Sequence, residues 1–558
     1  MEPALKRRRT RKACLPCRQR KRKCDASSPC GECTRYGYTC EFPHDDSALA
    51  PFVAPPAESS SQATNLRPDK NSSHDGISPQ SSSTTRPGKS PTAFEGGMLD
   101  ERQPRYVNVS SAIAFPHILG LHLESENPPT LHSFGYNFGI RPEEKSPSRG
   151  DLAELISEVD LMAFSDTFFS VFGIIIDILD QKIFRQRCRE YYQGGLRNGV
   201  FAAVAAGVAA VGSFLSFNSG HDREVDIVHF AKTVLEDPAA TRRASVELVV
   251  GWALRASYLR FTTRPNNAWI ASCTLMHLVE AVGLHEEENI AKIAQMAGAS
   301  ASGLSPYRLR RIFWCSWASH ILTCYEYGRS AVRFPRISCN AIDPIAGSYT
   351  YQFVQLAAVL PSPNSPFQLA VEGHGEEAEL SGRMKALKDM PAGHPFLVFT
   401  KADLVFYLYR RLRQQKRPLT DEVIQLIVAV GNEAVEAACQ SVREGRMFFN
   451  ALGSVFQYAC VLLAMDNPSA SSNLGTVFDG LETIVNIADT RLTREALTTA
   501  RHLLKASIKK KKQETATLEA VEARFTEAQT PSDLFDIPLD WDQIFNEPYF
   551  QFFSPAEL

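Results

Sequence analysis

Six cysteines open the sequence at positions 14, 17, 24, 30, 33 and 40, a C-x2-C-x6-C unit repeated after a five-residue gap. Two thiolates two residues apart can close on one metal ion, because a tight turn brings their sulfurs to about 4 Å, as tetrahedral zinc with Zn–S bonds of about 2.3 Å requires. Each repeat supplies such a pair and one further ligand. Three sulfurs per half leave each tetrahedral ion one ligand short, so six cysteines satisfy two Zn2+ ions only if two sulfurs are shared. The other use of six cysteines is a disulfide framework, which suits small secreted domains. The start MEPALKRRRT has no apolar signal-peptide core, so zinc is the expectation.

The run CLPCRQRKRKC also crowds Arg18, Arg20, Lys21, Arg22 and Lys23 beside these sulfurs. Six thiolates and two divalent ions leave such a cluster two charges negative, and neighbouring cations offset that charge while lowering thiolate pKa. The surplus faces outward. Residues 1–44 carry twelve Lys or Arg against four Asp or Glu, a balance of plus eight; the whole chain is at −2, so the rest carries about −10. A small basic module on an acidic body is the charge pattern of nucleic-acid binding. A short helix after Cys17 would put its first turn into the major groove, where Arg and Lys donate to guanine O6 and N7.

The stretch RKACLPCRQRKRKCDASSPCGECTRYGYTC resembles the fungal zinc binuclear cluster, the six-cysteine DNA-binding domain of a large class of fungal transcription factors. The likeness rests on the cysteine spacing, Arg18 after the second cysteine, Lys21, the Lys23-Cys24-Asp25 triplet and Pro29 ahead of the fourth cysteine. It implies that Cys14 and Cys30 bridge the two metals, with Cys17 and Cys24 completing one site and Cys33 and Cys40 the other. It implies further that Arg20 and Lys21 face the bases of CGG-like half-sites in double-stranded DNA. Arg18, Arg22 and Lys23 then touch phosphates or balance the cluster.

One triplet is too common to specify a site, so a second half-site and a dimer are expected. No coiled coil follows directly: Pro43, Pro51, Pro55 and Pro56 interrupt any helix there, and no heptad run appears in the next fifty residues. Either a homodimer forms through the large C-terminal domain, or a monomer binds with help from the basic arm. That arm, Lys6, Arg7, Arg8, Arg9, Arg11 and Lys12, is also a nuclear-import signal by type, which points to the nucleus. A second basic run, Lys509 to Lys512, reads as a solvated helix end.

Four segments follow from composition. Residues 1–44 form the two-zinc cluster domain with its arm. Residues 45–106, rich in Ser and Pro, cannot bury enough apolar surface to offset ordering entropy and read as a disordered linker. Residues 107–515 form a large all-α regulatory domain, since apolar positions recur with helical spacing. In AWIASCTLMHLVEAVGLH the stripe Ile270, Cys273, Thr274, His277, Leu278 and Ala281 precedes a stop at Gly283. Residues 516–558 form a disordered acidic-aromatic tail whose Phe535, Trp541, Phe545 and Phe550 suit a coactivator groove.

The α-domain also resembles the fungal transcription factor middle homology region in FSVFGIIIDILDQKIFRQR (169–187), NNAWIASCTLMHLVEAVGLH (266–285) and LRRIFWCSWASHILTCYEYGRS (309–330). It departs from that pattern at His320, where an aspartate is usual, and at Ser330, where a proline is usual. The uncharged run GVFAAVAAGVAAVGSFLSF (199–217) is long enough for a membrane span, but Ala and Gly dominate it, so a core helix is the better reading and no membrane partner is expected. The cysteines at 188, 273, 315, 324, 339, 439 and 460 have no short pairing and read as buried apolar residues. No phosphate loop, nucleophile elbow, kinase signature or histidine metal grouping is present, so an enzyme is not expected. The expectation is a nuclear activator of RNA polymerase II transcription governing a metabolic or secondary-metabolite gene set, with a small-molecule effector as a further partner. The alternatives are a repressor with the same head, or an enzymatic or metabolite-binding α-domain.

Overall fold

A computed structural model describes residues 13–15, 17, 24–36, 40–42, 97–99, 105–131, 146, 150–195, 199–216, 219–360, 376–416 and 419–527. The chain divides into two compact units, Met1–Gly88 and Lys89–Leu558. In the first, the described residues wrap a core of cysteine sulfur, and a short helix α1, Gly31–Tyr36, carries Cys33.

The second unit opens on an antiparallel hairpin, β1 Gly97–Leu99 and β2 Tyr106–Asn108, paired Met98 to Val107. Its helices are α2 Phe115–His122, α3 Glu158–Val171, α4 Gln181–Tyr192, α5 Gly199–Leu215, α6 Glu224–Leu235, α7 Val246–Thr262, α8 Pro265–Val282, α9 Glu287–Gln295, α10 Pro306–Tyr327 and α11 Thr350–Ala358. There follow α12 Glu376–Asp389, α13 Pro395–Gln414, α14 Asp421–Arg443, α15 Phe449–Met465, α16 Leu474–Ile487 and α17 Arg491–Glu527. Single turns stand at Pro238–Thr241 and Pro468–Ser471. Helices α3, α5, α7, α8 and α10 pack in one group and α13 to α17 in another, with α11 between α10 and α13. One apolar core runs through both groups.

Local chemistry sets the boundaries. Ser157, Asp180, Ser245, Ser305 and Thr420 each accept a hydrogen bond from a backbone N–H of the first turn that follows. Gly283 ends α8 at φ 84° and Gly328 ends α10 at φ 66°, a left-handed conformation that glycine adopts without penalty. In α5 every residue from Phe201 to Ser213 is buried, so the apolar run is the core helix expected from its composition. Among the described residues no helix is long and apolar enough to cross a membrane.

The stretches read as similar to a middle homology region pack on one another. Arg311 at the start of α10, fully buried, pairs with Asp177 Oδ2 at 3.1 Å and donates to Ser348 Oγ at 2.9 Å. Arg308 bonds the same carboxylate. His320 is also fully buried: the Val332 N–H donates to Nε2 at 2.9 Å, and Nδ1 lies 2.9 Å from Ser272 Oγ. Burial lowers the His320 pKa to about 4, so a neutral imidazole makes these contacts.

Five expectations need correction. The buried face of α8 is Ala268, Ala271, Ser272, Leu275, Met276, Val279 and Val282, whereas Ile270 and His277 are exposed; α8 is apolar on most sides, so periodicity alone could not choose the face. Strand β1 lies inside the segment read as linker, because pairing with β2 gives Leu99 and Tyr106 a core to join. Lys509 to Lys512 are not a helix end but lie in the exposed middle of α17. That helix continues to Glu527, past the boundary drawn at 515, since 516–527 is built of good helix formers without Gly or Pro. Of the cysteines expected to be buried, 188, 315, 324 and 339 are, while 273, 439 and 460 are half-buried.

Candidate zinc centre and nucleic-acid interface

Among the described residues of the first unit there is little apolar side chain to bury, so their core is sulfur. Cys14, Cys17, Cys30 and Cys33 are buried, and Cys24 and Cys40 are partly covered. Cys14 Sγ lies 3.6 Å from the sulfurs of Cys30 and Cys33 and 3.8 Å from that of Cys24, and Cys17 Sγ lies 3.6 Å from Cys30 Sγ. A zinc tetrahedron with bonds of about 2.3 Å has edges of about 3.8 Å. These separations fit it.

The sulfurs form two sets within ligating distance of one another: Cys14, Cys17, Cys24 and Cys30, and Cys14, Cys30, Cys33 and Cys40. Cys14 and Cys30 stand in both, so the two halves of the repeat share an edge. The set is all thiolate, which is the donor chemistry of structural zinc. Burial first, then the neighbouring Cys14 and Cys30, push the Cys17 thiol up, so this many sulfurs ionise together only around a compensating cation. The centre holds two Zn2+ ions, one for each set.

Backbone donors orient the sulfurs. The N–H groups of Ala26, Cys30 and Cys33 point at the sulfurs of Cys24, Cys40 and Cys30 at 3.4, 3.2 and 3.4 Å. The Leu15 N–H donates to the Glu41 carbonyl at 2.8 Å and ties the first turn to the last. Asp25 orders the loop between the two repeats. Its Oδ2 accepts from the Gly31 N–H at 3.0 Å, and its Oδ1 accepts from the Ser27 N–H and Oγ at 3.1 and 2.8 Å. The Gly31 N–H first and Ser27 next hold the Asp25 carboxyl below the usual carboxylate range. A Cβ at position 31 would stand 2.9 Å from Asp25 Oδ2, so glycine lets the carboxylate approach this closely without shifting.

The DNA-contact candidates Arg18, Arg20, Lys21, Arg22 and Lys23 lie outside the described residues, though Leu15 and Cys17 already stand in helical backbone. The import candidates Lys6, Arg7, Arg8, Arg9, Arg11 and Lys12 lie outside them too, as do Phe535, Trp541, Phe545 and Phe550 of the tail. The Lys23-Cys24-Asp25 triplet was visible in the sequence, but the contact of Asp25 with Gly31, six residues on, was not.

Residues 12–48 match the model of the fungal Zn(2)-Cys(6) binuclear cluster domain. Over 549 residues the chain is 38% identical to "Protein RDR1" of Saccharomyces cerevisiae, covering 97% of this chain and 96% of that protein. It is 27% identical to "Transcription factor kojR" of Aspergillus oryzae over 91% of this chain and 85% of the relative. It is 22% identical to a Schizosaccharomyces pombe protein named as a probable transcriptional repressor, over 78% of this chain and 92% of the relative. No solved structure matches.

Proposed function

The chain belongs to the fungal Zn(2)-Cys(6) binuclear cluster transcription factors, and from that premise we propose that it is a nuclear activator reading CGG-like half-sites in the major groove. Membership makes it a zinc-dependent, DNA-binding transcription regulator and not an enzyme. The observation that supports the finer reading is the shared edge, Cys14 and Cys30, soon after whose first member the basic run 18–23 follows in the sequence. In this reading Arg20 and Lys21 meet base edges, while Arg18, Arg22 and Lys23 meet phosphates and offset the cluster's charge. The arm at 6–12 directs nuclear import and adds phosphate contacts. Two copies, joined through the helical domain, supply two half-sites. The aromatic residues of the acidic tail engage coactivators.

Genome-wide mapping of DNA bound by the full chain tests the reading. Paired CGG-like triplets at fixed spacing support it, and a motif without such triplets overturns it. A repressor with the same head is the second reading, favoured by the name of the Schizosaccharomyces pombe relative. Deleting 528–558 separates the two, since an activator loses reporter output and a repressor keeps its silencing.

A further inference from the structure

Where the two helical groups meet, α7, α8, α10, α11, α13 and α15 leave a cavity of about 80 Å³. One water needs about 10–15 Å³ measured in this way, so the space exceeds what a single solvent molecule fills. The rings of Phe172, Phe261, Phe353, Phe396 and Phe449 line much of it.

Most of the polar groups in the wall already have partners. The hydroxyls of Ser257, Ser316, Thr323 and Thr400 already donate to helix carbonyls one turn back, at 2.9, 2.7, 2.8 and 2.8 Å. Arg260 faces the cavity but is engaged by both oxygens of Glu326 and by the Phe449 ring, 3.9 Å from the guanidinium carbon. Asn450 turns its Nδ2 to the Phe396 carbonyl and Thr400 Oγ1, and its buried Oδ1 has no partner. Asp403 is only 9% exposed; Ser454 Oγ and Gln457 Nε2 both donate to its Oδ1, at 2.7 and 3.1 Å, and among the described residues no donor reaches its Oδ2. The wall therefore offers acceptors and aromatic faces, and one carboxyl, Asp403, that makes no ion pair among the described residues.

We propose that this cavity is a binding site for a small organic ammonium ion with an apolar body, its N–H groups donating to Asp403 Oδ2 and Asn450 Oδ1 and its body lying among the phenylalanine rings. Aromatic faces attract such cations, and a desolvated carboxylate supplies the opposite charge. Burial raises the Asp403 pKa to about 8, with Glu326 raising it and Ser454, Arg260 and Arg410 lowering it. The free protein thus holds a proton on Asp403 at pH 7, which an ammonium ligand displaces. Because the cavity lies between the two helical groups, occupancy changes how they pack. That last step, an effector acting on a regulator, rests on the proposed function; the binding itself does not.

The test is calorimetric titration of the full chain with benzylammonium and with its neutral analogue benzyl alcohol, at pH 7 in buffers of different ionisation enthalpy. Saturable benzylammonium binding at least tenfold tighter than that of the alcohol, with release of close to one proton, is the expected result. Asp403→Asn should remove both the preference and the proton release while leaving helical circular dichroism unchanged. Absence of saturable binding, equal affinities for the two probes, or a preference that survives Asp403→Asn overturns the proposal. DNA binding measured on the same sample reports separately on the regulator reading.

Discussion

Asp25 reaches over the cis Ser28–Pro29 loop to accept the Gly31 N–H at 3.0 Å, so the residue after the third cysteine fixes the backbone after the fourth. Outer contacts that orient metal ligands are worth about 10–100-fold in metal affinity. Asp25→Ala should lower zinc affinity by about that factor in a chelator competition, and Gly31→Val should do the same by forcing the carboxylate away. Wild-type affinity in both variants would contradict the role given to this contact.

The shared sulfurs make the six ligands unequal. Cys14→Ser removes a sulfur from both sets, whereas Cys40→Ser leaves Cys14, Cys17, Cys24 and Cys30 complete. Native mass spectrometry of the full chain should therefore find one zinc retained in Cys40→Ser and none retained stably in Cys14→Ser. Equal losses in the two variants would refute the sharing.

On DNA, Lys21→Ala should relax base preference, by about 1–3 kcal/mol for a lost bidentate contact. Arg7→Ala should instead weaken binding about equally on all sequences and flatten its salt dependence. Competition assays at several salt concentrations distinguish the two patterns, and the same loss of preference from both changes would rule out the division of labour.

Burial lowers the pKa of each of His285, His320 and His394 from 6.5 to about 4. The unfolded chain takes up these protons below about pH 6.5 and the folded chain only near pH 4, so stability is full above 6.5 and falls between the two values. Each such histidine contributes a slope of roughly 1.4 kcal/mol per pH unit inside that window. The melting temperature should drop steeply from pH 6.5 to 5, and His320→Gln should make that drop shallower. A flat profile over this range would count against neutral buried imidazoles.

A Cβ on Gly212 of α5 would stand 2.0 Å from the Phe164 carbonyl oxygen of α3, whereas one on Gly453 of α15 meets nothing within 4 Å. Gly212→Ala should destabilise by about 1–3 kcal/mol through overpacking. Gly453→Ala should stabilise by about 0.5–1 kcal/mol, because alanine is the better helix former. Thermal unfolding of the two variants should shift in opposite directions.

The metal centre was legible because cysteine spacing constrains which sulfurs can reach one ion, and a pair such as Cys14 and Cys17 can close only locally. The all-α character and the stop at Gly283 were legible for a similar reason, since both are written in neighbouring residues. The face that α8 buries was not, because Ile270 and Met276 are equally apolar and only packing against α7 and α10 decides between them. Strand β1 was hidden by a Ser-rich surround, and its partner β2 is too short to carry a period of its own. The cavity could not be read at all: Asp403 and Arg260 lie in different helices, 143 positions apart in the chain, and only tertiary structure brings them to one wall.

The last helix has a mechanical consequence. A helix of 37 residues is about 55 Å long at about 1.5 Å per residue, and its last buried residue is Ala500. Lys511 still pairs with Asp466 of the helical body, so about 24 Å of α17 beyond it projects as an exposed boom.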